Sequence, residues 1–339
     1  MSTGKNRLMT TPQTEFTLLN EKWFSIHYFQ NRHYCLVNLN LTPFAKGGQR
    51  KVHYAYLNHS ESDIGAVSIR KVKNQFSPFS SPEYLLTKKI LSSPPDEVNQ
   101  LIKIYAQFFF NQDELNYSQV MKYYYQGDLG EYIVNKTRVF FSDEELISVI
   151  LQCAEGVTQL HNLGFWHRDI KPKNFFSTYR SPQMKAPNNI EVVLGDFGLT
   201  YPRNQSVCKK VGTTCYIAPE ILTSSEYSDA ADVYSLGITL AEVVFRSRLI
   251  PKEMAKAEKI LTFKSACESK NISSTLEAAI SHGNLNTSSH QNRLIVEHLI
   301  ELCKSCTQYR PENRPSLRDI VSKIRSIALE WNELNPKLP

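Results

Sequence analysis

Residues 165–176 read FWHRDIKPKNFF, and the fold turns on how this stretch is read. Two apolar flanks enclose a polar loop that packs Asp169, Lys171 and Asn174 close together. A His-Arg-Asp triplet alone carries little information. The longer pattern H-R-D-x-K-P-x-N is far more specific, because it sets a carboxylate, an ammonium and an amide oxygen at spacings that one loop can converge on a single reacting group.

Working outward, VVLGDFGLT at residues 192–200 ends an apolar strand on a second acid, Asp196, just before Gly198. A carboxylate there, helped by the Asn174 oxygen, suits a hard divalent cation, since Mg²⁺ takes few protein oxygens and completes its shell with water and phosphate. GTTCYIAPE at residues 212–220 and DVYSLG at residues 232–237 follow in that order. Four ordered motifs in so short a span leave little room for chance.

The periodicity around them predicts an α+β chain whose first third is mainly strand and whose remainder is mainly helix. KWFSIHYF and YCLVNLNL read as a hairpin across QNRH. Further strand patterns fall at LTPFAKGG, KVHYAYL, GAVSIRKV, LIKIYAQFFF and YSQVMKYYY, with one helix at SPEYLLTKKILSS. Residues 1–20 are polar and unpatterned and read as a flexible start. Ser142 and Glu145 form a capping box ahead of an apolar stripe, Leu146, Val149, Ile150, Cys153, Val157 and Leu160, that stops at Gly164. Helices are also predicted over 229–246, 291–305 and 316–331, the last capped by Ser316 after Pro315. The expected organisation is an N-terminal extension with a β-hairpin (1–40), a small lobe (41–123), a larger lobe (124–329) and a tail (330–339), with YYYQGD as the hinge.

With these motifs in this order, residues 41–329 resemble the eukaryotic-type protein kinase family. The resemblance implies a two-lobed fold, a small mainly β N-lobe with one helix and a larger mainly α C-lobe. It also implies ATP- and Mg²⁺-dependent phosphoryl transfer, with Mn²⁺ as a second option for the metal. By the same resemblance Asp169 orients the substrate hydroxyl, Lys171 sits beside the transferring phosphoryl group, and Asn174 and Asp196 hold the metal. His167 and Phe197 are implied to pack, Asp232 to anchor the catalytic loop, Glu220 to pair with Arg314, and Thr213 to act as a structural hydroxyl. Lys171 and GTTCYIAPE resemble the Ser/Thr branch, so the implied substrate is a protein Ser or Thr. Ser206 and Thr214 are candidate phosphosites, with Arg168 as the group to receive a phosphate, although Lys209 and Lys210 stand near the usual position.

The first lobe departs from the family pattern. FAKGGQRKVHYA aligns with a glycine-rich loop, giving Ala45, Lys46, Gly47, Gly48 and Val52 as nucleotide-contacting positions, but Ala45 replaces the first glycine and Arg50 the third. A side chain there restricts how closely backbone N–H groups approach phosphate. In GAVSIRKVK, Arg70 takes the place of the strand lysine that touches the phosphates, and its expected helix partner is Glu83. A slip by one residue would offer Lys71 instead, but it would also turn every neighbouring side chain to the other face. Arginine and lysine are not interchangeable at such a site. The alternative reading is therefore a pseudokinase that binds or scaffolds without transferring phosphate. Around the adenine the resemblance puts Met121 at the gatekeeper position, Tyr123 in the hinge and Asp128 near the ribose, where it serves equally well as a helix cap.

Composition narrows the classes further. A net charge of +6, from 39 Lys+Arg against 33 Asp+Glu, suits phosphate ligands or acidic partners and is far from a nucleic-acid-binding arm. Seven cysteines form no paired framework, and Cys303-x-x-Cys306 lacks the second pair of a zinc site, which points to reduced thiols. No apolar run is long enough to span a bilayer, and no signal peptide is evident. A cytoplasmic location is expected, or delivery into a host cell should the chain be a bacterial effector. YRSPQMKAPNN reads as an inserted surface loop, and residues 250–290, which match the family poorly, are the expected place for a partner to dock. Oligomeric state is not legible.

Overall fold

A computed structural model of the chain describes residues 14–19, 23–28, 34–38, 45–46, 50–57, 64–71, 81–110, 116–135, 141–180, 189–205, 211–223, 226–249 and 290–335. It divides into two units, Met1–Pro94 with Ile102–Tyr124, and Pro95–Leu101 with Tyr125–Pro339.

The first unit is an antiparallel sheet with one helix. Its strands are β1 (Thr14–Leu19), β2 (Trp23–Tyr28), β3 (Tyr34–Asn38), β4 (Ala45–Lys46), β5 (Arg50–Leu57), β6 (Ile64–Lys71), β7 (Ile104–Phe110) and β8 (Asn116–Lys122). They run in the order β1-β2-β3-β5-β6-β8-β7, with the short β4 added on β5. The expected hairpin is present, as β2 pairs β3 from Trp23↔Asn38 to His27↔Tyr34. Residues 14–19 correct the reading of a wholly unpatterned start. They form β1, paired with β2 from Thr14↔Tyr28 to Leu19↔Trp23. Six residues are too few for alternation to stand out, and a strand this short takes its stability from its neighbour rather than from its own pattern.

Helix α1 (Pro82–Ser92) follows the local rules: the Ser81 hydroxyl accepts from the Tyr84 N–H, Pro82 opens the first turn, and Glu83 sits near the positive end of the helix dipole. Leu86 and Ile90 are buried as their spacing predicts. The Thr87 hydroxyl donates to the Glu83 carbonyl and accepts from the Gln119 side chain at 2.8 Å, which ties α1 to β8.

The second unit is mainly helical, with α2 (Leu129–Val134), α3 (Asp143–Asn162), α4 (Pro219–Thr223), α5 (Asp229–Val244), α6 (His290–Cys306) and α7 (Leu317–Leu334). Three short strand pairings complete it: β9 (Phe165–Trp166) with β12 (Tyr201–Pro202), and β10 (Phe175–Tyr179) with β11 (Ile190–Leu194). The Ser142–Glu145 capping box forms in both directions, and Ser316 makes a second one with Asp319. Every residue of α5 from Ala231 to Val244 is buried, so this helix is the post around which the unit packs. Gly237 makes that possible on one side, because a Cβ there would stand 2.6 Å from the Cys306 Cβ. Residues 181–188 of the predicted surface loop and residues 250–289 of the predicted docking stretch lie outside the described residues. Among the described residues no helix is long and apolar enough to cross a membrane.

Candidate active site

Strand β9 feeds straight into the polar loop, and α5 holds that loop from beneath. The Asp232 carboxylate, wholly buried, accepts four hydrogen bonds: from His161 Nε2 (2.8 Å), the His167 N–H (2.8 Å), the Arg168 N–H (3.0 Å) and the Tyr227 hydroxyl (2.7 Å). Burial works against its charge, yet the His161 hydrogen bond, the two nearby imidazoles and the Tyr227 hydroxyl hold its pKa below the ordinary 3.8. Pinning two successive N–H groups lets Arg168 adopt a left-handed backbone, φ 68°, that a free loop would rarely populate. His167 accepts from the Asp169 N–H at Nδ1 and meets the Gly195 carbonyl at 3.0 Å through Nε2, which fixes the Nε2–H tautomer.

The loop turns Asp169 into a cluster. Its Oδ1 accepts from both the N–H and the hydroxyl of Thr213, each at 2.8 Å. Its Oδ2 accepts from Lys171 Nζ at 2.6 Å and, more weakly, from Asn174 Nδ2 at 3.4 Å. Lys171 Nζ also donates to the Thr213 hydroxyl at 2.8 Å, and Asn174 Nδ2 donates to the Asp169 carbonyl at 2.7 Å. These donors hold the carboxylate in one orientation, and it is only 11% exposed. With Asn174 Nδ2 committed to Asp169, its Oδ1 is the end that offers lone pairs.

Asp196 follows β11 and is reached through the Gly195 N–H, which donates to the Asn174 carbonyl at 2.8 Å. It has a left-handed backbone, φ 57°, and an exposed side chain that caps no helix. Among the described residues no cluster of three or more His, Cys, Asp or Glu could hold a metal. The donor set here, one carboxylate and one amide oxygen on adjoining backbone, fits Mg²⁺ or Mn²⁺ that is otherwise held by water and phosphate.

The segment after Asp196 is anchored at several points. Phe197 is buried and meets the His167 ring edge-on at 6.0 Å. Gly212 has φ +112° and passes so near the catalytic loop that a Cβ would stand 2.6 Å from the Arg168 carbonyl oxygen. Tyr216 donates its hydroxyl to Glu242 of α5 at 2.7 Å, and Glu242 also accepts from the Leu249 N–H at 3.0 Å. Glu220 and Arg314 form a bidentate pair at 2.6 and 2.8 Å, with Arg314 donating further to three backbone carbonyls. A pair so fully hydrogen-bonded fixes geometry more than it adds stability. The Arg168 guanidinium lies over the Tyr201 and Tyr227 rings, at 5.3 and 5.8 Å, and burial lowers its pKa while Tyr227 and Asp232 oppose that. Ser206, Lys209 and Lys210 lie outside the described residues; Thr214 is half-buried in a short turn.

The structure thus brings together Asp169, Lys171, Asn174 and Thr213. Asp128 caps α2, accepting from the Glu131 N–H at 2.9 Å, so the structural use foreseen for it is realised. In the first unit, Ala45 and Lys46 lie on β4 opposite Val52 and Lys51, while Gly47 and Gly48 fall outside the described residues. Arg70 lies on β6, in register with Arg50 on one side and Tyr117 on the other. Glu83 is 3% exposed; Met121 is buried at the end of β8, and Tyr123 follows it half-buried. Sequence reasoning missed His161, Tyr227, Tyr201 and Glu242. Each is defined by its partner across the fold, and no local pattern marks it.

A protein kinase domain model matches residues 69–324. Similar proteins include the serine/threonine-protein kinase Nek5 of Homo sapiens, 29% identical over 201 residues, covering 58% of this chain and 26% of that one. Another is the leucine-rich repeat receptor-like protein kinase PEPR1 of Arabidopsis thaliana, 32% identical over 192 residues, covering 53% and 16%. The chain therefore spans only a minor part of the length of these relatives. Among solved structures, one chain of the CAK complex from Chaetomium thermophilum, bound to ATP-gamma-S, matches with a TM-score of 0.61 and 20% identity, over 88% of this chain and 92% of that one. That likeness shows a kinase-like fold.

Proposed function

The chain belongs to the protein kinase family, and from that premise we propose that it transfers the γ-phosphate of ATP to Ser and Thr hydroxyls of protein substrates, using Mg²⁺. The observation that carries this reading is the Asp169 cluster, with a carboxylate, an ammonium and a hydroxyl locked together within 2.8 Å.

A substrate hydroxyl beside Asp169 would donate to a carboxylate whose orientation is already set, so its proton has an acceptor as the oxygen turns nucleophilic. Lys171 stands at the same carboxylate and supplies positive charge where the phosphoryl group would carry negative charge. Thr213 holds both, which is why a segment 44 residues further along the chain matters to the loop. A divalent cation, when bound by Asn174 and Asp196, would neutralise phosphate oxygens and orient them.

Arg70 bears on nucleotide binding. It stands where the family resemblance places the phosphate-contacting lysine, and the register sets it opposite Arg50 on β5. Arg70, with Ala45 in place of a glycine, also favours a second reading, in which the domain binds without transferring phosphate. Asp196→Asn separates the two. Under the first reading it abolishes metal-dependent labelling of substrate by γ-labelled ATP; equal labelling with and without Asp196, or none by the unmodified protein with Mg²⁺ or Mn²⁺, rejects it.

A further inference from the structure

Asp229 opens α5, and both oxygens of its carboxylate are taken. The Trp166 indole N–H donates to Oδ1 at 2.7 Å, and the Arg203 guanidinium meets Oδ2 through Nη2. Arg203 is itself fastened beside β9: its backbone N–H donates to the Gly164 carbonyl at 2.9 Å and its Nη1 to the His161 carbonyl at 2.8 Å. The Trp166 ring is buried and packs at 5.5 Å against Tyr227, one of the donors to Asp232.

The place of these contacts in the chain gives them a role. Trp166 stands three residues before Asp169, and Arg203 seven after Asp196. Strands β9 and β12 pair over two residues each, Tyr201↔Trp166 and Pro202↔Phe165, a ladder too short to hold by itself. Asp229 therefore bridges the chain that enters the catalytic loop and the chain that leaves Asp196. An acid in the first turn of a helix also gains from the helix dipole, but that interaction requires neither an indole nor a guanidinium.

We propose that Asp229 is a positioning residue: its carboxylate clasps Trp166 and Arg203 so that the segment carrying Asp196 stays docked beside the Asp169 loop, the arrangement phosphoryl transfer requires. The inference rests on the transfer reading above for its effect on rate, whereas the docking itself is measurable without transfer. The two contacts differ in weight. A hydrogen bond from a buried indole to a carboxylate is worth roughly a factor of ten or more in the docked population. An ion pair whose side chains are 35% and 47% exposed is worth a factor of about 1.4–5.

The test follows amide hydrogen exchange of peptides covering residues 164–168 and 199–205 in the full chain, with no nucleotide or metal added, beside kcat for transfer of labelled phosphate. Asp229→Ala should speed exchange in both peptides about tenfold and lower kcat at least about threefold, with exchange in α3 and α7 unchanged. Asp229→Asn keeps an oxygen for the indole N–H and loses only the charge. It and Arg203→Met should therefore each speed exchange about 1.4–5-fold, and the double variant should do no more than either alone. Unchanged exchange or unchanged kcat in Asp229→Ala, or additive effects in the double variant, overturns the proposal. Should Asp229→Ala loosen α3 and α7 as well, Asp229→Asn, Arg203→Met and their double variant decide the matter on the same criteria. Exchange as expected with no transfer by any of the proteins, the unmodified chain included, overturns the transfer reading alone and supports the docking role.

Discussion

Asp232 receives four donors on two oxygens, and no neutral side chain reproduces that. An asparagine in its place would turn an NH₂ group towards N–H and O–H donors, leaving at least one of them buried without an acceptor. We expect Asp232→Asn to cost about 2–4 kcal/mol, read as a lower urea midpoint at unchanged slope, and to lower kcat further by releasing the loop backbone. A variant with wild-type stability would show that the loop does not depend on this anchor. Gly212 is constrained in a different way. Its φ of +112° and its approach to the Arg168 carbonyl leave no room for a methyl group, so the segment or the catalytic loop must shift. A displacement of about 1 Å near the chemistry costs roughly a hundredfold in rate, so Gly212→Ala should lose about that much kcat while the melting temperature changes little by comparison.

At the scale of elements, α5 acts as the frame to which the loops are bolted. It supplies Asp232 to the catalytic loop and Glu242 to the segment before α4, and both carboxylates take a tyrosine hydroxyl. Burial first, and the neighbouring carboxylates second, push the Tyr216 and Tyr227 hydroxyls above their ordinary pKa of 10.0. The unfolded chain therefore ionises these tyrosines first as pH rises past about 10 and binds fewer protons than the folded chain, so stability falls as pH rises. The buried thiols Cys153, Cys303 and Cys306 act in the same sense from about 9. Tyr227→Phe isolates one contribution. Its urea midpoint should decline less steeply between pH 9.5 and 11 than that of the unmodified protein, and parallel curves would contradict the assignment. Below the carboxylate range Asp232 acts the other way: its depressed pKa contributes stability above about 3.8 that is lost as pH falls.

At the scale of the whole molecule, two features were legible for different reasons. The helices of the second unit announce themselves through periodicity and caps, because Ser142, Glu145 and Ser316 act within one turn of the chain. The Asp169 cluster was legible because three of its members share one loop. What could not be read is what tertiary packing alone decides. Tyr227 and His161 reach Asp232 from different elements, and β1 exists because β2 is beside it. Nothing in the residues 14–19 taken alone distinguishes a strand from a polar lead-in. The acceptor for a substrate proton is the centre of the whole account, and one measurement addresses it most directly: transfer of labelled γ-phosphate from ATP to a Ser-containing protein substrate, with the unmodified chain and Asp169→Asn side by side. The account predicts clear transfer by the former and a loss of about 10²–10⁴-fold in kcat for the latter, with nucleotide affinity retained. Equal rates for the two proteins would contradict it.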